Sequence, residues 1–109
     1  MANAFKLNTK KNIGTADSAI YMCPSATETT IIGLNLANTS TSAIEANVKL
    51  LNNGGDSCFV VKAAPIPIGS SLVPVGGDQK LVMNANDVIQ VSSSAASSID
   101  VCLSILEIT

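Results

Sequence analysis

The chain has 109 residues, a length that fits a single domain able to fold without metal ions or disulfides. Its net charge is −2, it has no Arg or His, and only 13% of its residues are charged. Nucleic-acid binders usually carry a basic face, and His is the usual general base and metal ligand. The composition therefore argues against nucleic-acid binding, acid–base catalysis and metal binding. No apolar run approaches the roughly 18 residues of a membrane span.

Ser, Thr and Asn replace the missing charged residues, and the apolar residues are almost all aliphatic. Charged residues are depleted at the cores of protein interfaces. This composition favours a chain whose surface is largely covered by other protein, and an ordinary soluble β-domain with a serine-rich surface is the alternative. Residues 1–8 are too polar for a secretory signal peptide, so synthesis in a cytoplasm is expected.

Residues 1–12 are predicted to form an N-terminal arm or an edge strand, ahead of a domain at 13–109. The apolar residues Phe5 and Leu7 alternate with polar neighbours, and half of the six lysines, Lys6, Lys10 and Lys11, lie here. A segment with so little apolar surface needs a partner, or the domain's own sheet, to offset its ordering entropy. These five residues are therefore candidate partner-binding residues.

Short segments of alternating apolar and polar residues follow, separated by turns rich in Gly, Asn and Ser. Strands are predicted at 18–23, 29–37, 43–50, 58–63, 80–83, 88–91 and 99–105. For 43–50 a helix is the alternative, because Ser42 and Glu45 match a capping box and apolar residues recur at helical spacing. Gly33 indicates a bulge or a close backbone approach. The alternation breaks at Leu106, which predicts a bulge or a change of strand partner near the terminus.

The connections carry strong turn signals. Residues 52–56 read Asn-Asn-Gly-Gly-Asp, and a hairpin turn is predicted, since a phosphate loop would need a Lys-Ser/Thr ending and a following helix. Residues 64–91 are predicted to form a meander of antiparallel strands with turns at 76–78 and 84–87. Within the strand at 18–23, Ile20 and Met22 are expected on one face and Tyr21 on the other.

Two prolines mark the start of this meander. Pro65 and Pro67 lack the backbone donor that a central strand requires, so residues 65–68 are predicted at a sheet edge or between subunits. Ile66 and Ile68 would then anchor a neighbouring protein. These four residues complete the candidate partner-binding set.

No residue is assigned a catalytic, cofactor-binding or metal-binding role. The eight carboxylates occur singly along the chain, and Cys23, Cys58 and Cys102 are odd in number and far apart. Each cysteine has apolar neighbours, so all three are expected to be buried free thiols that pack as small apolar side chains.

About eight short strands with regular turns predict an all-β fold: a single antiparallel β-sandwich, of which the jelly roll is one form. Four stretches also resemble small structural proteins of tailed bacteriophages: IYMCP at 20–24, IGLNLAN at 32–38, APIPIG at 64–69 and ANDVIQV at 85–91. The resemblance extends over residues 18–109. It implies a virion component without an active site, and such components include head decoration (cement) proteins and neck or tail-attached proteins.

The leading hypothesis is a non-enzymatic capsid decoration protein, made in the cytoplasm of a bacterial host, that bridges neighbouring shell subunits in the virion. Its expected partners are the major capsid protein and further copies of itself, with a trimer as the first oligomer to consider. No cofactor, nucleic acid or membrane is expected. A neck, tail or fibre component is the structural alternative, and a glycan-binding module is the alternative from a different class.

Overall fold

The computed structural model describes residues 3–76 and 80–109, which form nine β-strands and no helix. The strands are β1 (Asn3–Ile13), β2 (Ser18–Met22), β3 (Glu28–Asn38), β4 (Ile44–Leu51), β5 (Ser57–Ile66), β6 (Ser71–Val75), β7 (Leu81–Met83), β8 (Val88–Ser93) and β9 (Ile99–Ile108). The helical alternative for 43–50 is wrong, because the period-2 alternation there matches a half-buried strand. No segment of the described chain forms a helix that could cross a bilayer.

The strands form two antiparallel sheets that pack as a sandwich, which confirms the predicted fold class. The five-stranded sheet has the order β1-β9-β3-β6, with β7 also pairing with β3, and the four-stranded sheet has the order β2-β8-β4-β5. The chain crosses between sheets at most connections, and β6 and β7 follow one another along the same side of β3. This strand order is the jelly-roll arrangement, with its sixth strand divided into β6 and β7.

An aliphatic core fills the space between the sheets. Its largest fully buried side chains include Ile31, Leu36, Leu103 and Ile105 from the five-stranded sheet and Val48, Ile66 and Ile89 from the four-stranded sheet. Each buried aliphatic side chain of this size contributes about 1.5–3 kcal/mol relative to an exposed one. The inward positions of β9 show how the sequence produces this core, since Ile99, Val101, Leu103 and Ile105 alternate with outward residues.

β1 is an edge strand of the five-stranded sheet. It pairs with β9 from Asn3↔Ile108 to Lys10↔Val101 without interruption, and a register shift follows before Ile13↔Ile99. Only Asn8 and Ile13 of this strand are not classed as exposed. The N-terminal segment is thus ordered by the sheet itself, and binding of another protein by it remains a prediction.

The predicted turns at 52–56 and 84–87 lie together at one end of the sandwich. Gly55 has a φ of +96°, a conformation that Gly adopts without the steric cost of a Cβ. The buried Asp87 carboxylate accepts hydrogen bonds from the backbone N–H of Asn53 and of Asn84, each at 2.9 Å. One side chain therefore fixes both turns, and it satisfies donors that would otherwise lack a partner.

Two register shifts change which side chains are buried. A shift between Ala19 and Tyr21 places both Ile20 and Tyr21 in the core and leaves Met22 exposed, so the predicted facing of this strand is wrong. A shift between Ile31 and Gly33 confirms the bulge indicated by Gly33. A bulge adds one residue to a strand and so reverses the face of everything beyond it.

The predicted meander over 64–91 is wrong. β5 and β8 belong to the four-stranded sheet, whereas β6 and β7 both pair with β3 in the other sheet. Each of these strands is apolar enough to be half-buried, but local alternation carries no information about which strand is its partner. The turn predicted at 76–78 lies largely outside the described residues.

Candidate interaction surface

The outer face of the five-stranded sheet carries a row of side chains that crosses four strands. Phe5 of β1 pairs with Leu106 of β9. Leu106 in turn pairs with Thr30 of β3, which pairs with Val82 of β7. Directly paired residues project from the same face of a sheet. Phe5 is 78% exposed and Val82 is 61% exposed, so large apolar side chains meet solvent at both ends of the row.

The next two rows on this face contain no charged residue. They consist of Leu7, Ser104 and Gly33, followed by Thr9, Cys102 and Asn35. The acidic residues Glu28 and Asp100 stand beyond these rows, at the two ends of the face. We refer to the three rows from Phe5 to Asn35 as the uncharged outer face. A face without charged residues, bounded by charges at its margin, is the pattern of a protein interface.

Behind the Phe5 row, a buried polar cluster joins four strands. Nζ of Lys6 lies 2.8 Å from Oε1 of Glu107. The hydroxyl of Tyr21 donates a hydrogen bond to Oε2 of Glu107 at 2.5 Å and lies 2.9 Å from Oγ1 of Thr29. Glu107 is buried and Lys6 is half exposed at the edge of the sheet. The buried carboxylate therefore has both a cation and a hydroxyl donor, the condition under which a buried charge is tolerated.

The protonation states in this cluster do not suit catalysis. The hydrogen bond from Lys6, followed by the one from Tyr21, holds the pKa of Glu107 below its usual value. Burial and the hydrogen bond to Glu107 raise the pKa of Tyr21 well above its usual value. A general acid or base works best with a pKa near the working pH. The cluster instead holds β1 against the sandwich through the Lys6–Glu107 ion pair and the hydrogen bond from Tyr21 to Glu107.

Glu107 and Tyr21 were missed by the sequence interpretation, although one signal for Glu107 was present. The pairing of β9 with β1 and with β3 continues through Leu106, so the prediction of a bulge or a change of partner there is wrong. Inward and outward positions keep alternating along β9, but near its end the apolar residue lies outward and the acidic residue inward. Leu106 occupies the outward position and Glu107 the inward one. The break in the apolar pattern marked a half-buried, outward apolar residue beside a buried acid.

The five N-terminal candidates are spread along β1. Phe5 and Leu7 lie on the uncharged outer face, whereas Lys6 is engaged with Glu107 on the inner side. Lys10 and Lys11 are exposed at the far end of the strand. The apolar candidates thus belong to one surface, and the two remaining lysines lie about four residues further along it, roughly 13 Å at strand spacing.

The Pro65–Ile68 candidates divide into core and surface residues. β5 is the last strand of its sheet, which confirms the predicted edge location of Pro65. Ile66, however, is fully buried and packs in the core, so the expectation that it anchors a partner is wrong. Ile68 follows the end of the strand and is 61% exposed. Nδ2 of Asn38 donates to the carbonyl oxygens of Ile66 and Pro67 at 3.0 and 3.3 Å and fixes this corner.

The cysteines also differ from expectation. All three are free, as predicted, and Cys23 is buried, with Sγ 3.2 Å from Oγ1 of Thr29. Cys58 and Cys102 are exposed, so the prediction of three buried thiols is wrong. Cys102 occupies an outward position of β9, where apolar neighbours in sequence face the opposite side of the sheet.

Two depressions lie at the turn-rich end of the sandwich. One, of about 410 Å³, is lined by residues that include Thr27, Glu28 and Ile108, and the other, of about 400 Å³, by residues that include Asn52 and Asp87. Neither is lined by an aromatic ring on which a sugar could stack. Among the described residues, no three His, Cys, Asp or Glu side chains are grouped closely enough to hold a metal ion.

Comparisons with known proteins show similarity of fold. No family model matches the chain, and no curated protein matches it by sequence. Among solved structures, a chain of the disulfide-linked pili that form Bacillus endospore appendages matches with a TM-score of 0.55 and 14% identity, covering 96% of this chain and 85% of that one. A chain from the acid-stable capsid of Helicobacter pylori bacteriophage KHP30 matches with a TM-score of 0.52 and 11% identity, covering 98% of this chain and 87% of that one. Both similarities extend over nearly the whole sandwich, so this chain shares its fold with subunits of two large protein assemblies.

Proposed function

We propose that this chain is a non-enzymatic structural protein of a bacteriophage virion that decorates the capsid and bridges neighbouring shell subunits. The observation that carries the proposal is the uncharged outer face, in which Phe5, Leu7 and Val82 are exposed on one side of the five-stranded sheet. The similarity to a chain of a phage capsid and the resemblance of four sequence stretches to phage structural proteins support the same conclusion.

Docking of the uncharged outer face on a shell follows the usual energetics of protein interfaces. A few central apolar or aromatic side chains contribute most of the affinity of such an interface. Phe5 and Leu106 are adjacent in one row and have no charged neighbour within it, so water can be excluded from them at low cost. An ion pair of an exposed lysine contributes at most about 1 kcal/mol to binding. We therefore place Lys10 and Lys11 at the margin of the interface, where they add little affinity.

A fibre, neck or tail subunit is the second candidate, and a specific observation favours it. The similarity in fold to a chain of the Bacillus endospore pili supports this candidate, since that chain is part of a pilus. Such an assembly requires subunits that bind copies of themselves at surfaces which do not close into a ring. The partner in that case is a second copy of this chain, whereas decoration requires the major capsid protein as well.

Electron cryomicroscopy of intact particles of a phage that encodes this chain tests the proposal and separates the two candidates. Decoration predicts many copies distributed over the whole head, each with its five-stranded sheet against the shell. A few copies at a single vertex, or a periodic shaft, would assign the chain to the neck, tail or a fibre. Particles that lack the chain altogether would contradict both structural roles.

A further inference from the structure

Three of the four sheet edges carry features that prevent pairing with another strand. β5 contains Pro65, a positive φ at Ala63 and two register shifts against β4. β2 has five residues and a register shift. The edge beyond β3 is divided between β6, of five residues, and β7, of three. Short strands, prolines and bulges are the usual means by which proteins keep edges from associating.

β1 has none of these three features over most of its length. It has 11 residues, it contains no proline, and it keeps one register with β9 from Asn3 to Lys10. Among the described residues no strand pairs with its other side. Lys6 and Lys10 both occupy inward positions, and inward-pointing lysines often protect such an edge. The charge of Lys6 is balanced by Glu107 at 2.8 Å, and Lys10 stands at the end of the regular pairing.

We propose that the free edge of β1 binds β1 of a second copy of this chain, in antiparallel orientation, about a twofold axis at Leu7. A twofold axis perpendicular to the sheet keeps the outer faces of both copies on the same side. Outward residues of one copy must then lie opposite outward residues of the other, and these are the odd-numbered positions of β1. The axis must therefore pass beside one residue, which then lies opposite the same residue of the second copy.

The lysines, together with the length of regular pairing in β1, select one of these registers. Centring on Leu7 pairs Lys6 with Asn8 of the second copy, Lys10 with its Ala4 and Lys11 with its Asn3. Centring on Lys6 would place that lysine opposite itself, and centring on Asn8 would place Lys6 opposite Lys10. Like charges directly opposite one another destabilise a strand pair. Registers centred on Phe5 or on Thr9 also avoid such pairs, but the first spans only residues 3–7 and the second runs through the register shift between Lys10 and Ile13. The Leu7 register avoids every such pair and spans residues 3–11.

This dimer would enlarge the surface that is available for docking. Four strands about 4.8 Å apart and about ten residues at about 3.4 Å give one outer face an area of roughly 650 Å². A stable interface of standard size takes about 800 Å² from each partner. Two copies joined at β1 present about twice the area of one in a single continuous sheet. The inference goes beyond the proposed function because the dimer needs no shell, and it replaces the expected trimer with a dimer.

Disulfide trapping in the purified protein tests the register. The variant Leu7→Cys, in a background of Cys58→Ser and Cys102→Ser, brings two thiols opposite each other at a Cβ separation of about 4.5–5.5 Å. Mild oxidation should convert at least about half of it to a covalent dimer, because paired positions approach disulfide geometry. Val82→Cys in the same background is the matched control, with similar exposure at the opposite edge of the sheet. Equal and slow cross-linking of both variants would overturn the proposal.

A second pair of variants checks the same register without relying on Leu7. A mixture of Phe5→Cys and Thr9→Cys chains, in the same background, should give a covalent heterodimer, whereas Phe5→Cys alone should not. Sedimentation equilibrium of the unmodified chain should give twice the chain mass, and Leu7→Lys should give the chain mass with an unchanged far-UV spectrum. A monomeric unmodified chain overturns the second-copy assignment, and it does so whether or not the protein is found on virions.

Discussion

Lys6 and Glu107 form an ion pair that connects the edge strand β1 to the inner side of β9, with 2.8 Å between Nζ and Oε1. The other carboxylate oxygen accepts a hydrogen bond from Tyr21 of the opposite sheet. One buried carboxylate thus holds the first strand, the last strand and the second sheet together. The uncharged outer face depends on this arrangement, because Phe5 reaches its place only when β1 is paired.

The acid stability of the fold should depend on Glu107. Its pKa is lowered in the folded state, chiefly by Lys6, so its contribution to stability is fully present above the unfolded pKa of about 4.3 and is lost as the pH falls through the folded pKa. We expect Glu107→Gln to remove part of the decrease in Tm below about pH 4.3. Glu28→Gln, at an exposed position, is the control and should retain the decrease. Identical acid profiles for the two variants would contradict this role.

Tyr21 is the only tyrosine in the chain, so its ionisation can be followed directly by absorbance. Its pKa is raised by burial and by the bond to Glu107, so the stabilisation is fully present below the unfolded pKa of about 10 and is lost as the pH rises through the folded value. Phenolate should therefore appear only together with alkaline unfolding. In urea the same residue should titrate near 10. Titration near 10 in the folded protein would show that the hydroxyl is exposed to water.

The three thiols should react at two distinct rates. Cys58 and Cys102 are exposed, and Cys23 is buried between Thr27 and Thr29. We expect a thiol reagent to label Cys58 and Cys102 quickly and Cys23 only on unfolding. Cys23→Ala should cost about 1 kcal/mol through lost packing, whereas Cys58→Ala and Cys102→Ala should change stability by less than about 0.5 kcal/mol. Three equally fast labelling events would contradict the buried position of Cys23.

Ile66 and Ile68 provide a matched pair only two positions apart. Ile66 is fully buried and Ile68 is 61% exposed. Ile66→Ala should lower the free energy of unfolding by about 2–5 kcal/mol because it leaves a cavity, and Ile68→Ala should change it by less than about 0.5 kcal/mol. Urea unfolding curves measure both values. A large loss for Ile68→Ala would mean that this side chain packs against the domain instead of facing solvent.

Local sequence signals predicted the strands and turns well. Alternation identified β4 and β9, and the Asn- and Gly-rich run at 52–56 identified the hairpin turn, because both signals arise from neighbouring residues. The order of strands in the sheets could not be predicted in this way. β6 and β7 pair with β3, at separations of more than 30 residues, and no local pattern specifies such a partner.

The candidate surface was predicted in part. Phe5 and Leu7 were found because they are large apolar residues two positions apart in a segment that is otherwise mostly polar. Val82 and Leu106 were missed, since an outward apolar residue in an apolar strand cannot be told from an inward one until the register is known. Ile66 was assigned to the surface because proline neighbours indicate an edge, but an edge strand still has one buried face.

The most direct test of the account compares how many copies of two surface variants remain on purified particles. Phe5→Ser with Val82→Ser removes two exposed apolar side chains from the uncharged outer face, and Met22→Ser with Ile68→Ser removes two of comparable exposure elsewhere. All four positions are exposed, so each change should alter stability by less than about 0.5 kcal/mol, which thermal unfolding can verify. Quantitative mass spectrometry should find the first variant lost from the particles and the second retained at the wild-type copy number. Equal retention of both variants would contradict docking through the outer face of the five-stranded sheet.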